Sequence, residues 1–107
     1  MKLITKEIAG KLKELYETDG LDKTKIKVPL KLFNPRGIGT WYIWEYDPSE
    51  ELGFGYANLG DDEMAEMGYI SVKELKEVNL PYGMKIERDI NWDPNTTVQQ
   101  VLDGEAK

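Results

Sequence analysis

Among its 107 residues the chain has no cysteine and no histidine. Those two absences remove a thiolate nucleophile, a Cys/His zinc site, a Ser-His-Asp triad and a histidine general base together. Catalysis would be confined to carboxylates, lysine, tyrosine, hydroxyls or a hard metal ion. The composition therefore points away from an enzyme, and no cofactor is expected. Arginine is scarce too: only Arg36 and Arg88 could offer the planar fork favoured for phosphate and guanine contacts. No apolar run approaches the roughly 20 residues needed to span a bilayer, so no membrane role is expected. The opening MKLITKEIAGKLKEL is laced with charge where a secretory signal would carry an uninterrupted apolar stretch. These features predict a cytoplasmic protein.

A chain of this length suits one domain, which can bury roughly two thirds of the surface its unfolded form exposes, without a disulfide or metal staple. Its charge is unevenly spread. Residues 1–31 hold eight lysines against five acidic residues, a balance of +3, whereas the rest of the chain stands at −9, together the overall −6. The acidic body should repel nucleic-acid phosphates, so nucleic acid is a disfavoured partner. Lys23, Lys25, Lys27 and Lys31 leave a small basic edge, whose plain reading is a solvated face.

Thr5 can cap a helix running to about residue 18, with Ile8, Leu12, Leu15 and Tyr16 at helical spacing and Gly20 as a stop. KVPLKLF alternates as a strand, with Pro29 arguing for an edge position. Asn34-Pro35-Arg36-Gly37 fits a type I turn. The next strand, TWYIWEYD, puts Tyr42, Trp44 and Tyr46 on one face and Trp41, Ile43, Glu45 and Asp47 on the other. With LGFGYAN it completes an antiparallel meander over about 27–58. MGYIS predicts a brief strand, and Ser71 with Glu74 a capping box opening a helix of about two turns through Val72, Leu75 and Val78. MKIERDI predicts a further strand with Met84, Ile86 and Ile90 inward. Thr96 and Gln99 form a second capping box for a short terminal helix, which is the better reading of Asn95-Thr96-Thr97 than the glycosylation acceptor that the triplet also matches. This order does not alternate as a doubly wound sheet would. It predicts a single α+β domain over 1–107: a mainly antiparallel sheet of about five strands, with an N-terminal, a short middle and a short C-terminal helix.

Three clusters are candidate sites. The alternating Gly53, Gly55 and Ala57 leave one strand face nearly bare, so something must come close to the backbone there. The plain reading is a neighbouring ring or a packed helix; the sharper one is an aromatic-walled groove. Trp41, Trp44, Tyr46, Phe54 and Tyr56 are the candidate binding residues, because alternation prevents all of these rings from facing one core and exposed Trp and Tyr are enriched as interface anchors. Glu45 and Asp47 on one strand, with Glu87 and Asp89 on another, could gather as a cation or acid/base site if their strands were neighbours, and are otherwise solvated charges. The acidic stretch GDDEMAE, with Glu50 and Glu51, is a solubilising loop or, more sharply, a phosphate-like array imitating DNA; a net charge of −6 is modest for a mimic.

The series LITKE (3–7), KLFNP (31–35), TW (40–41), E-x-DP (45–48), FG (54–55), LG (59–60), EMGYIS (66–71), EL (74–75) and IERD (86–89) resembles a family of small bacterial proteins classed as a domain of unknown function, found largely on plasmids, conjugative elements and phages. The resemblance covers roughly residues 3–92. The connection DDEMA is more acidic than the glycine-rich one of that family. The resemblance implies an accessory protein of a mobile element and brings no catalytic residue or cofactor with it. The resulting expectation is a non-catalytic binding protein that holds a protein partner through its aromatic strand face; a carboxylate-based enzyme or small-ligand or metal binder, and an acidic DNA mimic or weak nucleic-acid binder, stand as alternatives. No signal bears on oligomeric state.

Overall fold

A computed structural model of the protein describes residues 1–60 and 65–104. Five strands form one antiparallel sheet in the order β4-β3-β2-β1-β5: β1 (Leu30–Phe33), β2 (Thr40–Asp47), β3 (Leu52–Asn58), β4 (Glu66–Ser71) and β5 (Glu87–Arg88). Three short helices accompany it, α1 (Lys6–Lys11), α2 (Val72–Glu77) and α3 (Val98–Leu102). The result is a single α+β domain with a radius of gyration of 13.1 Å, as a folded chain of this length should have. No described helix is long and apolar enough to cross a membrane.

The sheet separates two cores. On one face Leu30, Leu32, Ile43 and Ile70 pack with Leu3, Ile86 and the α2 residues Val72 and Leu75. On the other, Trp44 and Val28 pack with Ile26 and the α3 residues Val98 and Val101. Local signals in the sequence set several of these elements. Thr5 caps α1 by accepting from the Ile8 amide, Ser71 caps α2 by accepting from the Glu74 amide, and Asn34 closes the β1–β2 turn by accepting from the Arg36 amide at 2.8 Å.

The main departure from strict alternation lies in β2. Ile43 pairs with Gly55 but Glu45 with Phe54, so Trp44 is the extra residue of a β-bulge. Past it the side chains change faces: Tyr46 joins Trp41 and Ile43, and Glu45 comes to the side of Trp44 and Phe54. The expected grouping of Tyr46 with Tyr42 and Trp44 is corrected accordingly. The bulge also explains Gly55. A Cβ there would lie 1.8 Å from the Tyr42 carbonyl oxygen, so only glycine allows β3 this close. Over Gly53 the space is taken by Ile43, whose Cγ2 is 3.0 Å from where a Cβ would stand.

Further corrections have physical causes. The first helix ends at Lys11, not near residue 18, because β1 runs out at Leu30 and leaves β2 open beyond Ile43; Lys13 pairs there, donating to the Trp44 carbonyl at 3.1 Å and accepting from the Tyr46 amide at 2.8 Å. Pro29 lies one residue before β1, and β1 is an inner strand between β2 and β5. The strand expected from MKIERDI is only Glu87–Arg88, with Ile86 buried and Ile90 exposed. The C-terminal capping box is Thr97 with Gln100, one residue later than Thr96 with Gln99, because this phase buries both Val98 and Val101. Asp61, Asp62, Glu63 and Met64, the heart of the acidic stretch, lie outside the described residues.

Candidate functional site

The bulge sorts the five candidate binding residues. Trp41 and Tyr46 sit half-buried at the margin of the α2-side core, where burial pushes the Tyr46 phenol above its usual pKa. Trp44 is buried on the α3 side, and Phe54 and Tyr56 are half-buried beside it. Trp44 meets Phe54 edge-on at 5.9 Å, and Phe54 meets Tyr69 edge-on at 5.4 Å. The Tyr69 hydroxyl in turn donates to that of Tyr16 at 3.3 Å. A second ring series runs from Trp92 to Tyr42 at 5.5 Å and on to Tyr56 at 6.1 Å, and Tyr56 faces Met67 across the β3–β4 ladder. The Trp92 indole is fixed by donating to the Val28 carbonyl at 2.8 Å.

The two ring series start in the core and end in solvent. Tyr16 is 62% exposed, Tyr69 55% and Met67 43%. α3 closes this face over Trp44 and Val28, while on β3 and β4 the rings are only half-buried and Met67 and Tyr69 reach solvent. β4 ends the sheet, so among the described residues its outer backbone groups have no partner strand. An edge of this kind can accept an added strand.

Glu45 holds the outermost ring in place. Its buried carboxylate accepts from the Tyr16 amide at 2.9 Å, from the Thr18 amide at 3.0 Å and from the Thr18 hydroxyl. Tyr16 has a φ of 72°, a left-handed conformation uncommon for a bulky residue. The carboxylate stabilises that turn and so presents the ring to solvent. Hydrogen bonding to Tyr16 raises the Tyr69 phenol above its usual pKa, and desolvation and the negative charges of Asp19 and Glu45 act in the same direction. The exposed rings thus stand in a locally acidic setting.

The four candidate carboxylates do not converge. β1 lies between the strands that carry them, a separation of roughly 10 Å, and Glu87 stands level with Thr40 through Phe33, roughly 15 Å along the sheet from Glu45. Asp47 accepts from the Ser49 amide and hydroxyl at 2.9 and 2.7 Å, which holds its carboxyl below the usual pKa. Asp89 pairs with Lys31 at 3.4 Å. Among the described residues no group of three or more acidic side chains is placed to hold a metal ion.

Tyr16, Met67 and Tyr69 were not singled out by sequence reasoning. Alternation in EMGYIS already placed Met67 and Tyr69 on one face. Tyr16 gave no such signal, because helical spacing assigned it to a buried stripe.

The chain belongs to the family described as protein of unknown function (DUF2958), whose model matches residues 3–105. No curated protein and no solved structure matches it.

Proposed function

We propose that the protein is a non-catalytic binding module whose β3–β4 half takes an extended segment of a protein partner bearing apolar and basic residues. The observation that carries this reading is the exposure of Tyr16, Met67 and Tyr69 at the open end of ring series rooted in the core, beside the outer edge of β4. A segment added to that edge would make main-chain bonds along β4 and set alternate side chains over Met67 and Tyr69. Tyrosine faces attract cations, and Asp19 lies close enough to act on Tyr69, so a lysine or arginine on the incoming segment suits the surface. In the mobile-element setting that the resemblance implies, the partner is a protein of the host or of the element, met in the cytoplasm.

The test is affinity capture from a bacterial host by the parent chain and by Tyr69→Ala and Met67→Ala variants of unchanged thermal stability, followed by amide exchange on the complex. The expected result is loss of the captured protein with either variant and slowed exchange along Glu66–Ser71 in the parent complex. Equal recovery by both variants, or exchange unchanged along β4, rejects the reading.

A further inference from the structure

The acidic balance of the whole chain hides a local reversal. A cleft of about 540 Å³ lies between the segment after α1 and the segment leading into β1, within the size range of small-ligand sites. Four lysines line it, Lys11, Lys13, Lys25 and Lys27, and none of its lining residues is acidic. They come from separate parts of the chain that the fold brings together. Lys13 is held by its bridge to Glu45, Lys25 by a bond from its amide to the Asp22 carbonyl at 2.9 Å, and Lys27 by its bridge to Thr97.

The ammonium groups are weakly committed. Lys11 and Lys13 make surface pairs with Glu7 and Glu17 at 3.6 and 3.8 Å, a kind of contact that contributes little and is easily exchanged. Lys25 and Lys27 form no ion pair with any described residue. Four like charges around one cleft repel each other, and a bound polyanion would relieve that repulsion. Leu21, Ile26, Pro29 and Pro94 supply an apolar wall. Pro29, Pro94 and Lys11 also border an adjoining hollow of about 290 Å³, so an organic group has room beside the charges.

We infer that this cleft binds a small ligand carrying two or more phosphoryl charges, with its organic part against Pro29 and Pro94. Lysine serves phosphate as a mobile point charge, which suits a cleft with no arginine among its lining. The compactness of the ligand matters. Screening over about 8 Å at physiological salt lets a small anion feel the four lysines while the acidic body is largely masked. A long nucleic-acid strand would run on into the negative remainder of the surface.

Isothermal titration with pyrophosphate, adenosine diphosphate and a sugar bisphosphate, in parallel with a single-stranded oligonucleotide, tests the inference. The parent chain should bind pyrophosphate saturably, and Lys25→Ala/Lys27→Ala should weaken it about tenfold or more. Lys11→Ala/Lys13→Ala should weaken it as well; all four side chains are exposed, so unchanged melting of each double variant is the control for folding. Tighter binding of either organic ligand than of pyrophosphate identifies which class uses the proline wall, and equal binding of all three confines recognition to the phosphoryl groups. No saturable binding, retention of affinity in both double variants, or an oligonucleotide that outcompetes every small ligand overturns it.

Discussion

The α3 face of the sheet has two halves built from the same materials and finished differently. Over β1 and β2, Trp44 is enclosed by Val28, Val98 and Val101. Over β3 and β4, Phe54 and Tyr56 are half-buried, and Tyr69 and Met67 stand in solvent. Aromatic content does not separate the halves, since rings run unbroken from one to the other. What separates them is cover: α3 spans five residues, Val98–Leu102, and a helix of that length reaches roughly 8 Å. The closed half is the place to lose stability, and the open half is the place to lose the proposed binding.

That contrast can be broken most sharply at its two ends. Trp44→Ala should cost about 3–5 kcal/mol in urea unfolding, because it empties an enclosed site. Tyr69→Ala should cost about 1 kcal/mol or less, the contribution of one edge-on ring pair. Comparable losses at both positions would mean that the open half is more enclosed than its exposure indicates. A closer comparison uses two glycines that face each other across the β3–β4 ladder. Gly55→Ala must displace the Tyr42 carbonyl and should cost about 3 kcal/mol, whereas Gly68, with nothing within 4 Å of a Cβ, should accept alanine with a gain of about 0.5 kcal/mol. Denaturant midpoints of the pair decide it. The smallest effect belongs to the turn that joins the halves. The Ser49 hydroxyl and amide hold the Asp47 carboxyl below its usual pKa, so the associated stability is present above the ordinary carboxyl range and is lost as pH falls through the lowered value. Ser49→Ala should move the Asp47 titration upward in a carbon-detected NMR experiment and shrink the acid-side decline in stability.

Features of the fold set by neighbours along the chain were legible in the sequence. Thr5 and Ser71 cap as their spacing indicates, Asn34-Pro35-Arg36-Gly37 turns the first hairpin, and the order of strands and helices follows hydrophobic alternation. Features set across the sheet were not. The bulge at Trp44 has no local marker, since the residue that permits it, Gly55, lies on another strand. It alone exchanged the faces of Glu45 and Tyr46. The early end of α1 is of the same kind, because residues 12–18 have adequate helical spacing and leave the helix only because β2 offers Lys13 a place beside Trp44. At the C-terminus the run Thr96-Thr97-Val98-Gln99-Gln100 contains two overlapping capping boxes, and burial of Val98 and Val101 chooses between them. The candidate surface was therefore half visible. Phe54 and Tyr56 were on the right strand, but the rings reaching solvent depend on where Glu45 places Tyr16.

The Glu45 carboxylate also grips the chain at Tyr16 and Thr18, while the main chain on either side of Glu45 holds Lys13, whose amide donates to the Trp44 carbonyl and whose carbonyl accepts from the Tyr46 amide. Lys13 lines the lysine-rich cleft and Tyr16 belongs to the exposed rings, so two residues, Glu14 and Leu15, separate the two regions along the chain. Replacing that carboxylate with glutamine would set an amide N–H against a backbone N–H, and the strap would slacken at Tyr16 and Thr18 while Lys13 kept its main-chain bonds to β2. The proposed ring surface and the proposed lysine cleft therefore meet at one residue of β2, the first leaning on its side chain and the second on the main chain around it.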